Sequence, residues 1–218
     1  MNKTITVKGI GKVSAKPDYV VISMNLESHH QVYEKAMEIA ADNIAVLTDT
    51  LVRVGFEKEA VKTTNFNVRT DYDNVRKKDG SYERIFNGYL VRHDLKIEFD
   101  FESQKLSTAL SAIGGCMAHP QLSIAFTVKD ATAVNEEMLR AATINARRKA
   151  EILCDAAGKE LGDLLSIDYN WGELNVYSNT RYDMAEECLA APMMAKSIDI
   201  EPDDIDVSDT ATFVWELV

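Results

Sequence analysis

What the chain lacks narrows its class first. Its 218 residues include only three cysteines, Cys116, Cys154 and Cys188, far apart and without a CxxC pair. An odd, sparse count argues against a disulfide framework and against a zinc site. Cys154 falls within a helical stretch and reads as a plain buried thiol. No apolar run approaches the roughly 20 residues that a membrane-spanning helix needs, so no membrane span is expected. Met1-Asn2-Lys3-Thr4 runs straight into alternating residues with no apolar leader core. On that reading the protein is cytoplasmic, or periplasmic if a leader has been removed. Basic charge is also scarce overall, 24 Lys and Arg against 35 Asp and Glu. The imbalance is local: residues 1–162 carry 22 of each sign, and residues 163–218 carry 2 basic and 13 acidic residues, hence −11. Such a chain is a poor candidate for binding nucleic acid or anionic membrane.

Reactive motifs are missing too. There is no G-x-S-x-G element, no H-E-x-x-H helix and no recognisable Cys/His nucleophile pair. Gly9-Ile10-Gly11-Lys12 does not complete a phosphate loop, and a strand rather than a helix follows it. Its glycines mark a strand bulge or a close backbone approach. His93 sits between Val91 and Leu95 on the apolar face of a strand, and a hydrogen-bonded core or interface histidine is favoured over a base. His29 and His30 are adjacent on a strand and face opposite ways, and His119 precedes Pro120 in a solvated loop. Asp203, Asp204, Asp206 and Asp209 lack the spacing of a calcium loop. Arg147, Arg148 and Lys149 spread over most of a helical turn and form no single stripe. No catalytic, cofactor-binding or metal-binding residue is expected, and no enzyme.

What is present is alternation and helical periodicity. Thr4–Ala15 and Tyr19–His30 read as strands, expected to pair as an antiparallel hairpin across Lys16-Pro17-Asp18. Val32–Val54 is a helix with Ala36, Ala40, Ile44, Leu47, Leu51 and Val54 as its stripe, ended by Gly55. Val61–Asp73 and Tyr82–Phe101 are strands joined by a turn at Lys78-Asp79-Gly80. Phe66, Val68 and Tyr72 share one face of the first. Ser103–Ile113 is a short helix, Gln121–Lys129 a strand. Thr132–Gly162 holds the longest helix, capped by Asp130 or Thr132, with Leu139, Ala142, Ala146, Ala150, Leu153 and Ala157 on one face. Asp163–Asn170 is a strand, 171–206 an irregular acidic segment, and Asp209–Val218 a closing strand. Met184, Met193, Met194, Tyr177, Tyr182 and Leu189 in the irregular segment suggest a flap over the core or an interface arm. The order β-β-α-β-β-α-β-α-β-loop-β specifies an α+β fold, with helices on one face of largely antiparallel sheet. Residues 1–218 read as one domain, with two sub-lobes, 1–101 and 102–218, as a possible division.

These signals coincide with a known pattern. ITVKGIGKVSAKPDYVVISMNLES, the Val54-Gly55-Phe56 helix end, the Gly88-Tyr89 pair, Gly114-Gly115 before LSIAFTVKD, the alanine-rich helix ending at Gly162, and the closing ATFVWEL resemble the SIMPL-domain family. That family includes the bacterial YggE proteins. The resemblance covers nearly the whole chain and is carried by structural glycines, prolines and alanines. It implies an α+β domain that self-associates, in some periplasmic members as ring- or channel-like assemblies. It further implies a link to oxidative-stress protection and, in a eukaryotic relative, an adaptor role in kinase signalling. It implies no catalytic residues. The resulting expectation is a non-enzymatic, self-assembling interaction protein, a homo-oligomer with a possible protein partner. The alternative is a small-molecule or peptide-binding module with a pocket between the sheet–helix units.

Overall fold

Twelve residues of alternating burial, Thr4–Ala15, form strand β1, and a second twelve, Tyr19–His30, form β2. The computed structural model describes residues 3–78, 80–169, 175–180, 182–184 and 200–218. Helix α1 (Tyr33–Arg53) follows, then β3 (Lys62–Arg76), β4 (Tyr82–Asp100), α2 (Ser103–Gly114), β5 (Gln121–Thr127), α3 (Ala131–Ala156), β6 (Leu161–Asp168), β7 (Tyr182–Met184) and β8 (Ile205–Leu217). The fold is α+β with antiparallel pairing in two sheets. The chain forms two units. One comprises residues 1–18, 126–179 and 202–218, the other residues 19–125 and 180–201. These boundaries cut across a division at residue 101, because the first strand pairs with the last.

In the first unit the sheet order is β1-β8-β6. β1 pairs with β8 from Thr4 opposite Glu216 to Ala15 opposite Ile205, without a register shift. The expected β1–β2 hairpin does not form, nor does a bulge at Gly9 and Gly11. The close backbone approach does. A Cβ at Gly9 would meet the Ala142 carbonyl oxygen and lie 2.8 Å from the Ala146 Cβ, and one at Gly11 would meet the Met138 carbonyl. Bare β1 backbone thus receives the backbone of α3.

The buried stripe of α3 is Val134, Met138, Ala142, Ala146, Ala150 and Cys154. A step of four exceeds the 3.6-residue turn, so the stripe winds slowly round the helix and follows a twisted sheet. Leu139 and Ala157 lie outside this stripe, and Leu153 is 53% exposed. The Asp130 carboxylate accepts the Ala133 N–H at 3.0 Å and caps the helix. Gly158, at φ +63°, takes the left-handed conformation just beyond its end. Beneath lie Val7, Ala211, Phe213 and Trp215, with the last two rings stacked at 5.5 Å. Of the irregular segment, residues 175–179 are held in this unit. Ser178 N–H donates to the Phe126 carbonyl at 2.8 Å and its hydroxyl to the Asp203 carbonyl at 2.7 Å. Strand β8 starts at Ile205 rather than Asp209, and β6 at Leu161 rather than Asp163.

In the second unit the sheet order is β3-β4-β2-β5-β7. β2 and β4 pair from Tyr19 opposite Asp100 to His30 opposite Tyr89. Val20, Ile22, Met24 and Leu26 of β2 and Val91, Leu95, Ile97 and Phe99 of β4 are buried, as are Ala36, Ala40, Leu47 and Leu51 of α1. Each large aliphatic side chain so buried contributes about 1.5–3 kcal/mol. Leu106, Leu110 and Ile113 of α2 complete this core. The other face of the sheet is wet. β7, unforeseen in the sequence, pairs with β5 from Leu122 opposite Met184 to Ile124 opposite Tyr182.

Candidate functional site

Strand β3 bonds to β4 alone among the described strands and forms the edge of its sheet. Fourteen residue pairs join the two strands, from Lys62 opposite Lys96 to Arg76 opposite Tyr82. The hairpin turn closes with Lys77 N–H donating to the Ser81 carbonyl at 2.8 Å and Gly80 at φ +89°. Asp79 lies outside the described residues. The sequence reads Phe66, Val68 and Tyr72 as one face of a strand. The parity holds, and the hairpin is open: Phe66 is 46% and Tyr72 38% exposed, with Val75, Tyr82, Ile85 and Phe86 also facing solvent.

These side chains are ordered by one another. Tyr72 meets Phe86 edge-on at 5.7 Å, Phe86 meets Tyr89 at 5.4 Å, and Tyr89 meets Tyr33 at 5.4 Å. The Arg84 guanidinium lies 4.3 Å from the Tyr72 ring centre. Asn87 is the extra residue of a bulge on β4, between the pairs Asp71–Gly88 and Tyr72–Phe86. Gly88, at φ +145°, accommodates the close His30 carbonyl.

On the wet face, Asp94 gathers three strands. Its Oδ1 accepts from Asn25 Nδ2 of β2 at 2.5 Å and from Arg92 Nε at 3.1 Å, and its Oδ2 from Asn65 Nδ2 of β3 at 3.0 Å. Its carbonyl accepts the Thr64 hydroxyl at 3.2 Å. Burial by itself would push the Asp94 carboxyl up. The hydrogen bonds from Asn65, Asn25 and Arg92, with the Arg92 charge, hold it below the usual carboxylate range. A bulge at Thr64 on β3 aims these side chains. Around Asp94 the sheet surface forms an open concavity of about 510 Å³, lined also by Ser23, Gln121 and Ser123. The sequence did not point to it, because the contacts depend on cross-strand registers that a single strand's pattern does not encode.

His93 points the other way, 9% exposed. Its Nε2 lies 2.8 Å from the Thr63 hydroxyl, and its ring meets Phe66 edge-on at 5.1 Å. Burial pushes the imidazole below its usual value, opposed by the Asp94 charge. It is the hydrogen-bonded core histidine that its place on the strand suggests. It helps fasten β3 from beneath while Asp94 fastens it from above.

The remaining residues singled out by sequence are scattered. His29 Nε2 lies 3.6 Å from the Asp71 carboxylate, whereas His30 Nδ1 accepts the Val32 N–H at 2.9 Å. His119 is exposed, at φ +46°. Cys116 and Cys154 are buried. Arg147 pairs with Glu151 at 3.0 Å, and Lys149 reaches the Lys8 carbonyl at 3.1 Å. The Asp203 and Asp209 carboxylates accept the backbone N–H of Asp204 and Thr210. Among the described residues no three His, Cys, Asp or Glu converge as a metal site, and no helix is long and apolar enough to cross a membrane. Tyr177 is exposed and bridges Thr127, whereas Cys188, Leu189, Met193 and Met194 lie outside the described residues.

Comparison with known proteins returns one family over nearly the whole chain. The SIMPL family model, described as "Protein of unknown function (DUF541)", matches residues 5–215. The chain is 24% identical over 163 residues to the 26 kDa periplasmic immunogenic protein of Brucella melitensis, a match covering 75% of this chain and 65% of that protein. The protein of the same name from Brucella abortus is 23% identical over the same length. Interleukin-1 receptor-associated kinase 1-binding protein 1 of Mus musculus is 25% identical over 175 residues, covering 76% of this chain and 59% of that protein. The chain thus spans less than two thirds of the length of these relatives.

Proposed function

The chain belongs to the SIMPL family, and from that footing we propose that it is a self-associating interaction protein whose assembly surface is the outer edge of β3 and the exposed apolar side chains along its hairpin. The observation that carries this reading is the edge itself. A long strand bonded on one side only presents a row of backbone donors and acceptors, a template for another chain. Its solvent-facing aromatic rings are held by neighbouring rings and by Arg84. Asp94, Thr64 and His93 fasten the same strand to the sheet, so the template is preorganised.

The reading includes no reaction. His93 meets a hydroxyl, whereas a general base is ordinarily oriented by a carboxylate. A periplasmic location, stated of the Brucella proteins by their name, is taken into the proposal in place of the cytoplasmic expectation. Fractionation of the native host that found the protein only in the cytosol would remove that part. A role in oxidative-stress protection would act through the assembled state, since the described cysteines are buried.

The test is size-exclusion chromatography of the parent beside a variant with both Tyr72→Lys and Phe86→Lys. The variant is expected to elute as a smaller species than the parent. Equal elution of the two as an oligomer would move the interface away from this hairpin. A second reading, a module for a small polar ligand, is favoured by the concavity around Asp94. It predicts ligand-dependent thermal stabilisation that Arg92→Ala and Gln121→Ala abolish. The reading loses ground because Asp94 already accepts three hydrogen bonds from its own chain.

A further inference from the structure

We propose that β3 pairs antiparallel with β3 of a second copy about a two-fold axis through Thr70, running two five-stranded sheets into one. The inference rests on the assembly reading above and assigns its contact. β3 hydrogen-bonds to β4 alone among the described strands, so alternate backbone groups point along its other edge. Its own bulge is at Thr64, and the shift between Asp71 and Tyr72 arises from the extra Asn87 on β4. From Asn65 to Arg76, β3 therefore contains no inserted residue.

Symmetry limits the registers. Two identical antiparallel strands are related by an axis normal to the sheet, which keeps each side chain on its own face. Opposed residues must then share parity, so the axis passes through a residue. A centre on Arg69 would set Arg69 against itself, a like-charge pair. A centre on Asp71 opposes that carboxylate to itself, and one on Tyr72 opposes Asp71 to Asp73. Centres on Asn67 or Val68 pair no opposite charges, and both carry Tyr72 past Asn65 against the bulged end of the strand.

The centre on Thr70 satisfies both faces. Arg69 then lies opposite the partner's Asp71 on the wet face, and symmetry repeats the pair. Val68 lies opposite the partner's Tyr72 on the other face, again twice, and Asn67 opposite the partner's Asp73. Asp71 already accepts Asn87 Nδ2 at 3.0 Å and lies 3.6 Å from His29 Nε2. A carboxylate has about four acceptor sites, which leaves capacity for a guanidinium. Opposite charges and apolar–aromatic contacts are the cross-strand pairs that stabilise antiparallel sheets, and like charges directly opposed destabilise them.

A charge swap tests the register. Arg69→Asp alone and Asp71→Arg alone each oppose like charges twice, and each is expected to raise the dissociation constant at least about tenfold. The double variant, Arg69→Asp with Asp71→Arg, restores opposite pairs and is expected to recover most of the parent affinity. Thr70→Cys places the same residue opposite itself, and mild oxidation is expected to cross-link it beyond the parent's background, whereas Asn67→Cys and Asp73→Cys made singly are not cross-linked. The cysteine variants decide the matter if Asp71→Arg fails to fold by circular dichroism. A parent that associates while the swaps leave its affinity unchanged and Thr70→Cys stays uncross-linked overturns this register and leaves the assembly reading standing. A parent that stays monomeric at every concentration overturns both.

Discussion

Gly9 and Gly11 decide how near α3 lies to β1. The sequence offers two explanations for glycines in a strand, a bulge or a close approach, and nothing local separates them. The uninterrupted β1–β8 register removes the bulge, and the Ala142 and Met138 carbonyls supply the approach. Gly9→Ala is therefore expected to destabilise the protein by about 1–3 kcal/mol, as overpacking does. Urea unfolding would measure it, and an unchanged midpoint would contradict the close approach. Leu153 shows the limit of helical periodicity. It fits the sequence stripe, but the helix buries every fourth residue to Cys154, leaving Leu153 in solvent. At His93, burial depresses the imidazole below its ordinary value of 6.5. The unfolded state then binds the proton more readily. Stability from the neutral ring is full above the unfolded value and is lost as pH falls from there through the folded value. His93→Gln keeps a partner for Thr63 without titrating, so its unfolding midpoint is expected to fall less than the parent's between about pH 7.5 and about pH 5. Parallel pH profiles for the two would remove His93 from the acid response.

At the scale of elements, most boundaries and the β3–β4 hairpin were legible, and the long-range pairings were not. β1 and β2 begin and end where alternation says they do, because alternation is a property of a single strand. The short Lys16-Pro17-Asp18 connection suggested a hairpin, but β1 has its partner near the far end of the chain. Long-range pairing leaves little trace in local pattern. The same reason hid the Asp94 cluster, whose donors come from β2, β3 and β4. Asp94→Ala removes the acceptor that Asn25, Asn65 and Arg92 share. The expected cost is about 1–3 kcal/mol, with faster hydrogen exchange concentrated at Lys62–Val68. Uniform loss of protection across the second unit would mean that Asp94 acts on the fold generally rather than on the edge.

For the whole molecule, the close packing of α3 on β1 explains the glycines and alanines that set its architecture, and the family it belongs to is described as one of unknown function. The solvent-facing hairpin requires a separate account. In an isolated chain, a long free edge with solvent-exposed rings is an aggregation liability. In the proposed assembly it becomes the contact. Acidic residues after Gly162 give the chain its −11 charge, which opposes association at low ionic strength. Under the proposed register, assembly is expected to strengthen as moderate salt screens that repulsion, until salt also screens the proposed Arg69–Asp71 pairs. The most direct test of the central claim is multi-angle light scattering of the purified protein over a range of concentrations at physiological salt. Self-association through β3 predicts a mass at a multiple of 24.3 kDa, falling toward one chain in the Tyr72→Lys, Phe86→Lys variant. A single-chain mass for the parent at every concentration would contradict it.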